Sequence, residues 1–313
     1  MTAPRTRGRR RRAAGCLTLL VLLGVGALVL DYERCRRLAL WGLIDLRRDV
    51  LYGTADGEPL TLHLALPRVR RGPSPVIVFL HGGAWREGSK DTYIPDIQKA
   101  ALLGYVGVSV DYRLAPQHRF PDQIEDCKCA IRWLRAHAEE LAIDPQRIGA
   151  IGFSAGGHLA LLLGTTTPAD GLEGTGGWSE YPSDVQAVVS YFGPTDFTRP
   201  YPVESRELVE DFLGGTLDKR PEVYAQASPL SYVGPGDAPT LLLHGTADRL
   251  VPYEQIVRML DAFAAAGVAG RAEFILGADH TWGGPELERT HKAAYAFFDR
   301  WLRADARAEE QGG

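Results

Sequence analysis

A serine, a histidine and an aspartate, which together can perform nucleophilic catalysis, occur in patterns that favour that role. Ser154 lies in a Gly-x-Ser-x-Gly pattern, residues 152–156, with a further glycine behind it. Between a strand and a helix, this pattern forms a sharp turn that exposes the serine hydroxyl. The hydroxyl is an effective nucleophile only when a neighbouring base takes its proton and an acid orients that base. The structural alternative for Ser154 is the N-cap of a helix after an ordinary glycine-rich turn.

The base and the acid are expected later in the chain, in the order serine, acid, histidine. His280 lies in a loop just after a predicted strand, whereas His291 falls inside the closing helix. Asp248 follows the strand before that one in the same way, and Asp196, after a still earlier strand, is the rival acid. The order and spacing therefore predict a catalytic triad of Ser154, Asp248 and His280.

Neighbours of these residues are predicted to have structural roles. Asp279 is adjacent to His280, and adjacent side chains diverge, so we expect it to cap its loop. His244 closes a predicted strand and is expected to pack there. Glu125 and Asp126 are adjacent on a predicted helix. Because they point apart, they cannot flank one bond, which argues against a paired-carboxylate glycosidase.

A second glycine-rich segment is predicted to stabilise negative charge. Residues 81–85, His-Gly-Gly-Ala-Trp, directly follow a buried predicted strand. Acyl transfer passes through a tetrahedral oxyanion, which needs backbone N–H groups aimed at one point. In folds with a nucleophilic serine on a strand-to-helix turn, a glycine-rich loop after the third strand supplies these donors. We therefore predict an oxyanion hole formed by the N–H groups of Gly82, Gly83 and Ala155, with His81 bracing the loop.

Aromatic side chains near these motifs are candidates for the walls of a substrate pocket, with ordinary packing as the alternative for each. They are Trp85, Phe153, Trp178, Tyr181 and Trp282. The predicted chemistry requires no cofactor and no metal. The four cysteines are too few for a disulfide scaffold, and no Cys/His grouping has the spacing of a zinc site.

Short apolar strands alternate with amphipathic helices from about residue 49. The predicted strands cover residues 49–55, 60–66, 76–80, 106–110, 148–153, 187–192, 240–243 and 271–276. The predicted helices cover residues 94–103, 122–141, 155–164, 205–213, 253–266 and 286–304. This alternation predicts an α/β fold with a doubly wound, mostly parallel sheet that begins with an antiparallel hairpin. Residues 165–184 and 197–233 fit no sheet element and are expected to form pocket walls or a small lid.

The N-terminal part of the chain differs in composition from the rest. Residues 1–12 hold six arginines and no acid, so the remainder is more acidic than the overall net charge of -4 indicates. Residues 13–30 contain no charged side chain. As a helix they are just long enough to cross a bilayer. A basic tail on an acidic body argues against a nucleic-acid-binding domain.

This pattern predicts an N-terminal transmembrane helix. Residues 1–12 are expected to be a basic cytoplasmic tail, residues 13–30 the transmembrane anchor, and residues 31–48 a juxtamembrane linker or helix. The catalytic domain, residues 49–313, would then be exported. Residues 38–46 are expected either to lie along the membrane surface or to be the first helix of that domain. A cleaved signal peptide is the alternative, and it would give a secreted protein.

Six ordered motifs together resemble α/β-hydrolases of the esterase/lipase superfamily. They are HGGAW, DYRLAPQHRFPDQIEDC, GFSAGGHLA, FGPTDF, HGTADRLVPY and GADH. The resemblance covers residues 49–304 and is closest to the bifunctional feruloyl/acetylxylan esterase-like and hormone-sensitive-lipase-like branches. It implies that Asp248 and His280 complete a triad with Ser154. Ala84 departs from the fuller HGGG form of the oxyanion loop.

These observations predict a serine carboxylesterase that cleaves a small-molecule or carbohydrate-linked ester through an acyl-enzyme intermediate. Two alternatives stay open. An amide-cleaving hydrolase, such as a formamidase or a peptidase, would use the same triad. A non-catalytic, membrane-tethered binding module would use the fold alone. The presence of a nucleophile, a base, an acid and an oxyanion loop together favours an enzyme.

Overall fold

Eight strands form one mixed sheet in the computed structural model, which describes residues 42–303. The strands are β1 (Ile44–Ala55), β2 (Glu58–Pro67), β3 (Ser74–Leu80), β4 (Val106–Val110), β5 (Ile143–Phe153), β6 (Ala187–Tyr191), β7 (Thr240–Gly245) and β8 (Gly270–Ile275). Their order in the sheet is β1-β2-β4-β3-β5-β6-β7-β8. β2 pairs antiparallel with β4, and each neighbouring pair from β4 onward in this order is parallel. The predicted mostly parallel α/β sheet is confirmed.

Helices connect the parallel strands, because a parallel pair needs a crossover between the end of one strand and the start of the next. The helices are α1 (Ile94–Leu102), α2 (Asp122–Ala136), α3 (Ala138–Leu141), α4 (Ala155–Thr165), α5 (Val203–Leu213), α6 (Pro221–Gln226), α7 (Glu254–Ala266) and α8 (Gly284–Leu302). Short 3-10 turns lie at Lys90–Tyr93, Pro168–Asp170 and Pro229–Tyr232. The loops that leave the carboxyl ends of the strands converge at one edge of the sheet, which is where such folds bind ligands.

The inner strands are apolar along most of their length. Every residue of β3, β4, β6 and β7 is buried. Continuous apolar runs such as VIVFL in β3 are typical of strands that are covered on both faces of a sheet. This pattern explains why the sequence predicts these strands with nearly the observed bounds.

The beginning of the sheet differs from the prediction. β1 begins at Ile44, so residues 44–48 form a strand where the sequence predicts a linker or a helix. β1 lies at the edge of the sheet, where charged side chains reach solvent. Arg47, for example, pairs there with Asp45 and Glu140. An edge strand of this composition lacks the apolar run by which the inner strands are recognised.

Two further element bounds differ. The predicted helix 122–141 is divided, because α2 ends at Ala136 and α3 begins after His137, whose ψ of 18° departs from helical values. β5 begins at Ile143, five positions before the apolar run from which the strand was predicted. Its first half, IDPQR, is polar and carries no strand signal of its own.

The predicted basic tail and the apolar segment at residues 13–30 lie outside the described residues. The described residues from Asp45 onward belong to one compact unit. Among the helices within residues 42–303, none is long and apolar enough to cross a membrane.

Candidate active site

Ser154 lies on the turn between β5 and α4 in a backbone conformation that side-chain-bearing residues rarely adopt. Its φ is 53° and its ψ is -118°, and such strain is characteristic of functional turns. The N–H of Ser154 donates to Tyr191 O at 2.9 Å, which ties the turn to the end of β6. Close approach to β3 requires the following glycine, because a Cβ at Gly156 would lie 2.1 Å from Leu80 O. The Gly-x-Ser-x-Gly pattern is therefore a packing requirement that places the hydroxyl at the helix start.

His280 stands between Ser154 and Asp248, within hydrogen-bonding distance of both. Its Nε2 lies 2.9 Å from Ser154 Oγ, and its Nδ1 lies 2.8 Å from Asp248 Oδ2. Asp248 belongs to the loop after β7, and His280 to the loop after β8. The structure thus brings together the three side chains that the sequence predicts as a triad. With its proton on Nδ1, the imidazole directs a lone pair at the serine hydroxyl.

Asp248 is a buried carboxylate whose two oxygens contact four N–H groups. Oδ1 accepts the N–H groups of Leu250 and Val251, both at 2.9 Å. Oδ2 faces Nδ1 of His280 and lies 3.0 Å from Nε2 of His244, whose N–H is shared with Val251 O at 2.8 Å. Burial alone would raise the pKa of Asp248, but the hydrogen bonds from His244 and His280 outweigh it and hold this pKa well below its usual range. The acid is therefore charged wherever the imidazole can act as a base.

The loop after β3 brings Gly82 against the nucleophile turn, and Gly83 lines the same cavity as Ser154. A Cβ added at Gly82 would lie 2.8 Å from Phe153 O and 3.4 Å from Ser154 Cβ. Within the described part of the chain, the N–H groups of Gly82 and Gly83 donate to no protein acceptor. Ala155 begins α4, and the first N–H groups of a helix lack helical partners. The three predicted oxyanion donors are therefore available near the serine.

His81 braces the oxyanion loop and makes no contact with the serine. Its Nδ1 donates to Gly82 O at 2.8 Å, and its ring stacks on Tyr112 with centroids 4.1 Å apart. The hydroxyl of Tyr112 donates to His81 O at 2.7 Å. Burial lowers the pKa of His81, although the bond to Gly82 opposes this effect. A neutral, fixed imidazole fits the predicted bracing role.

A cavity of about 630 Å³ opens over Ser154 and His280. One wall is formed by Ser205, Leu208 and Val209 of α5. The region 197–233 therefore supplies a wall of the cavity, as predicted.

The other predicted wall, residues 165–184, contributes no lining residue to this cavity, and its assignment to the pocket is wrong. Two buried, positively charged side chains of α2 hold this segment away from the cavity. Glu173 accepts hydrogen bonds from Lys128 Nζ at 2.7 Å and from Arg132 Nη1 at 2.8 Å. Trp178 belongs to this segment, and its Nε1 donates to Tyr52 O at 2.8 Å. The predicted pocket roles of Trp178 and Tyr181 are wrong for the same reason.

Phe153 and Trp282 line the cavity, as predicted, within a larger set of stacked rings. Phe153 stacks between Tyr93, at a centroid distance of 5.2 Å, and Tyr191, at 4.5 Å. Trp282 packs against Tyr191 and against Phe192, with centroids 5.9 and 5.2 Å away. This rigid aromatic wall offers a flat apolar surface to a bound group.

Trp85 also lines the cavity, and it joins the oxyanion loop to the region around α5. Its indole stacks on Phe212 with centroids 4.1 Å apart, and its Nε1 donates to His158 Nδ1 at 3.2 Å. His158 in turn donates from Nε2 to Ala227 O at 2.7 Å. Burial lowers the pKa of His158 to about 4, so this imidazole is a neutral link between the two segments.

Two polar residues in the cavity carry no site signal in the sequence. Asp96 on α1 and His291 on α8 both line it. Burial raises the pKa of Asp96 and lowers the pKa of His291. The sequence places His291 correctly inside the closing helix but predicts no site role for it. Whether a helix residue faces the cavity depends on how α1 and α8 pack, and no local pattern records that packing.

The rival acid and the neighbouring aspartate have other partners. Asp196 pairs with Arg258 at 3.2 Å and with Arg199 at 3.6 Å. Asp279 pairs with the exposed Arg249 at 2.7 Å, and its Oδ1 accepts the N–H of His280 at 2.8 Å. These contacts leave Asp248 as the carboxylate that faces the imidazole of His280.

Asp56, His118 and Asp122 form the one group of three potential metal-ligating side chains within residues 42–303. The guanidinium of Arg113 already contacts the carboxylates of this group. Arg113 contacts the carboxylate of Asp56 and lies 3.7 Å from that of Asp122. Because its positive charge repels a cation, the group fits an ion-pair network better than a metal centre.

Comparisons with known proteins agree with the fold and with an esterase family. Esterase LipC of Mycobacterium tuberculosis is 36% identical over 220 residues, which cover 67% of this chain and 53% of LipC. A truncated carbohydrate esterase from gut microbiota superposes with a TM-score of 0.73 at 27% identity, covering 82% of this chain and 96% of that chain. Thermogutta terrifontis esterase 2, phosphorylated by paraoxon, superposes with a TM-score of 0.69 at 28% identity, covering 82% and 94%. The chain spans about half the length of the curated relatives it matches.

The fold, the site and these similarities place the chain in the α/β-hydrolase esterase superfamily, which confirms the resemblance of its motifs. The profile of the BD-FAE family matches residues 62–263, and the chain belongs to that family. The matched region contains Ser154 and Asp248 and ends before His280.

Proposed function

We propose that this protein is a serine carboxylesterase. The observation that carries the proposal is the position of His280, 2.9 Å from Ser154 Oγ and 2.8 Å from Asp248 Oδ2. In this arrangement an imidazole takes the proton of a nucleophilic hydroxyl, and a carboxylate stabilises the imidazolium that forms. The similarity to esterase LipC and to Thermogutta esterase 2 supports a carboxylic ester as the bond that is cleaved. Neither similarity favours an amide-cleaving or a non-catalytic protein.

In the proposed reaction, His280 accepts the proton of Ser154 while Oγ attacks the carbonyl carbon of the ester. The N–H groups of Gly82, Gly83 and Ala155 stabilise the oxyanion. The tetrahedral intermediate collapses when its bond to the alcohol oxygen breaks, and His280 gives its proton to the leaving alcohol. His280 then deprotonates a water molecule, whose oxygen attacks the acyl carbon. The bond between that carbon and Ser154 Oγ breaks, His280 returns its proton to Oγ, and the carboxylic acid is released.

Labelling with a fluorophosphonate tests this proposal, because only an activated serine displaces the fluoride. Mass spectrometry of the parent protein should show one adduct, on Ser154, and Ser154→Ala should show none. Ser205 is a matched control, since it lines the same cavity but donates its hydroxyl hydrogen to Leu250 O at 2.7 Å. Ser205→Ala should label like the parent. Folded parent protein without an adduct on Ser154 would refute the proposal.

We propose neutral esters with a small or aromatic acyl group, including carbohydrate-linked esters, as the substrate class. The aromatic wall of Phe153 and Trp282 supports an aromatic or short group. The similarity to a carbohydrate esterase supports a sugar as the alcohol. A panel of nitrophenyl esters of rising acyl length, with acetylated xylan and feruloyl esters beside it, measures the preference. A kcat/KM that keeps rising to long-chain acyl groups would contradict this substrate class.

We also propose that residues 13–30 anchor the protein in a membrane, with residues 1–12 in the cytoplasm and the catalytic domain exported. Six arginines before an uncharged stretch support this orientation. Protease added to intact cells should remove the catalytic domain while a cytoplasmic marker protein survives. Full protection of the domain in intact cells would contradict the proposal. Recovery of the domain from the medium would indicate the cleaved signal peptide instead.

A further inference from the structure

His244 is a buried histidine at the end of β7 that has no part in the proposed reaction steps. Its side chain is 0% exposed, and its Nε2 lies 3.0 Å from Asp248 Oδ2 and 2.8 Å from Val251 O. A carboxylate oxygen and a carbonyl oxygen are both acceptors, so Nε2 must carry the proton that it shares with them. The other ring nitrogen, Nδ1, is buried and has no hydrogen-bond partner among the described residues. All hydrogen-bonding contacts of this ring within the described residues are therefore made through Nε2.

Two imidazoles therefore converge on a single carboxylate oxygen. Oδ2 of Asp248 lies 2.8 Å from Nδ1 of His280, which belongs to the loop after β8. It also lies 3.0 Å from Nε2 of His244, which belongs to the sheet and shares its proton with Val251 O. Oδ1 is held by the N–H groups of Leu250 and Val251. Rotation of the carboxylate away from His280 would break the contact with His244 as well. Through Asp248, the end of β7 thereby helps to fix the orientation of the His280 ring.

We propose that His244 is a positioning residue for the catalytic acid, a proposal that rests on the proposed function. Its Nε2–H fixes Oδ2 in line with Nδ1 of His280 and reduces the negative charge that Asp248 presents to His280. A hydrogen bond to a carboxylate stabilises the charged carboxylate and weakens its attraction for a neighbouring cation. His244 therefore limits how strongly Asp248 stabilises the protonated form of His280. This matters because His280 accepts the proton of Ser154 only in its neutral form.

Other charged groups near His280 act on it independently of His244. Asp279, Arg249 and Glu204 line a small surface cavity together with His280. Asp279 and Arg249 pair with each other, with side chains 43% and 78% exposed, and Glu204 is also exposed. None of them contacts His244 or the carboxylate of Asp248 in the described structure. Among these charged groups, Asp248 is therefore the one that connects His244 to His280.

The test is the NMR titration of the His280 ring, measured in the full chain and in variants at position 244. His244→Leu and His244→Asn remove the donor, since Leu has none and Asn is too short to reach Oδ2. His244→Gln is the conservative variant, because its amide nitrogen reaches the place of Nε2 and donates to the same oxygens. We expect the titration midpoint of His280 to rise by about half a unit to one pH unit in the Leu and Asn variants. We expect it to return to the parent value in the Gln variant.

A midpoint that stays at the parent value in a folded Leu or Asn variant would overturn the proposal, because a packing role alone does not move it. Failure of the Gln variant to restore the midpoint would overturn it as well. Thermal unfolding of each variant identifies the folded ones, and two donor-free variants are included so that a folding failure in one leaves the other.

Ester hydrolysis gives a second reading that separates this inference from the proposed function. If the parent is an esterase, His244→Leu should lower kcat about tenfold with little change in KM, and the acidic limb of its kcat/KM profile should move to higher pH. If the parent hydrolyses no ester, the proposed function fails, yet the titration of His280 still decides whether His244 tunes Asp248.

Discussion

Two carboxylates lie beside His280, and they make different contacts. Asp248 is buried and faces Nδ1 of the ring, whereas Asp279 pairs with the exposed Arg249. We expect Asp248→Asn to lower kcat by about 10⁴, because an amide favours the wrong imidazole tautomer and cannot stabilise the imidazolium. Asp279→Asn should keep kcat within about threefold of the parent. It removes an exposed ion pair with Arg249, and the side-chain oxygen of Asn can still accept the backbone N–H of His280. Steady-state kinetics on one nitrophenyl ester checks both, and equal losses in the two variants would contradict the assignment.

The oxyanion loop leaves no space for a side chain at Gly82. Because an added Cβ would lie 2.8 Å from Phe153 O, Gly82→Ala must shift the loop and displace its N–H donors. We expect kcat to fall by about 10²–10³, the usual cost of one misplaced donor. Gly72→Ala is the control, since a Cβ there has nothing within 4 Å. Kinetics and thermal unfolding distinguish a catalytic loss from unfolding, and an unchanged kcat in folded Gly82→Ala would remove this glycine from the oxyanion hole.

At the residue scale, the sequence predicts those groups whose role is tied to a local pattern. Ser154 is identified by its flanking glycines, and Asp248 and His280 by their positions just after strands. The contact between His244 and Asp248 is missed, although the two residues are only four apart, because a buried histidine at a strand end is equally compatible with simple packing. Asp96 is missed because no pattern shows which face of α1 meets the cavity.

At the scale of elements, α1 gives the cavity a carboxylate. Asp96 is the acidic residue that α1 contributes to it. Burial raises the pKa of Asp96, but at about pH 8 the carboxylate is ionised and repels a substrate anion by about 1 kcal/mol. We expect Asp96→Asn to improve kcat/KM for nitrophenyl hemisuccinate about fivefold relative to the uncharged nitrophenyl pentanoate.

The control for this selectivity is Glu288→Gln, which removes an exposed charge on α8 that pairs with Lys292. Its ratio of the two kcat/KM values should equal that of the parent. A ratio that changes equally in Asp96→Asn and Glu288→Gln would show that the net charge of the surface, and not the position of Asp96, sets the selectivity.

The segment 165–184 is held to α2 by a carboxylate that neutralises two buried cations. Lys128 is 0% exposed and Arg132 2% exposed, and both contact Glu173. Glu173→Ala leaves these charges unpaired, so we expect the free energy of unfolding to fall by about 3 kcal/mol or more. Chemical denaturation measures it, with Glu180→Ala, an exposed position in the same segment, expected to change it by less than about 0.5 kcal/mol.

The same contact predicts a pH dependence. Burial would raise the pKa of Glu173, but the hydrogen bond from Lys128 and the charges beside it lower the pKa below its ordinary value. A lowered folded-state pKa contributes stability above the unfolded-state pKa, and this contribution is lost as the pH falls through the folded-state pKa. The difference in unfolding free energy between the parent and Glu173→Ala should therefore shrink on acidification below about pH 4. A difference that grows on acidification would contradict this account.

Among the elements, the sequence predicts the inner strands and the long helices because their apolar periodicity is local. The first half of β5 and the start of β1 are missed because their half-buried or exposed polar residues interrupt any apolar run. The assignment of residues 165–184 to the pocket fails for a different reason. The direction of an irregular segment is decided by a distant carboxylate–cation contact, here Glu173 with Lys128.

At the scale of the whole molecule, residues nearly two hundred positions apart join the middle of the fold to its last helix. The hydroxyl of Tyr105 donates to Asp299 Oδ1 at 2.7 Å and accepts from Arg303 Nε at 3.3 Å. We expect Tyr105→Phe to lower the free energy of unfolding by about 1 kcal/mol. Tyr295 provides a matched control, because within residues 42–303 its buried hydroxyl has no hydrogen-bond partner. Tyr295→Phe should leave stability unchanged or raise it, and an equal loss in both variants would contradict this reading.

The link from Trp85 through His158 to Ala227 has a consequence for the evolution of substrate range. A bulkier substrate would require the region around α5 to be rebuilt, yet Phe212 of α5 stacks on the indole of the oxyanion loop. Any rearrangement of α5 that disturbs this stacking therefore also disturbs Trp85 and the predicted oxyanion donors in the same loop. Adaptation to larger esters would proceed through enzymes of reduced turnover, unless a second substitution restores the packing of Trp85.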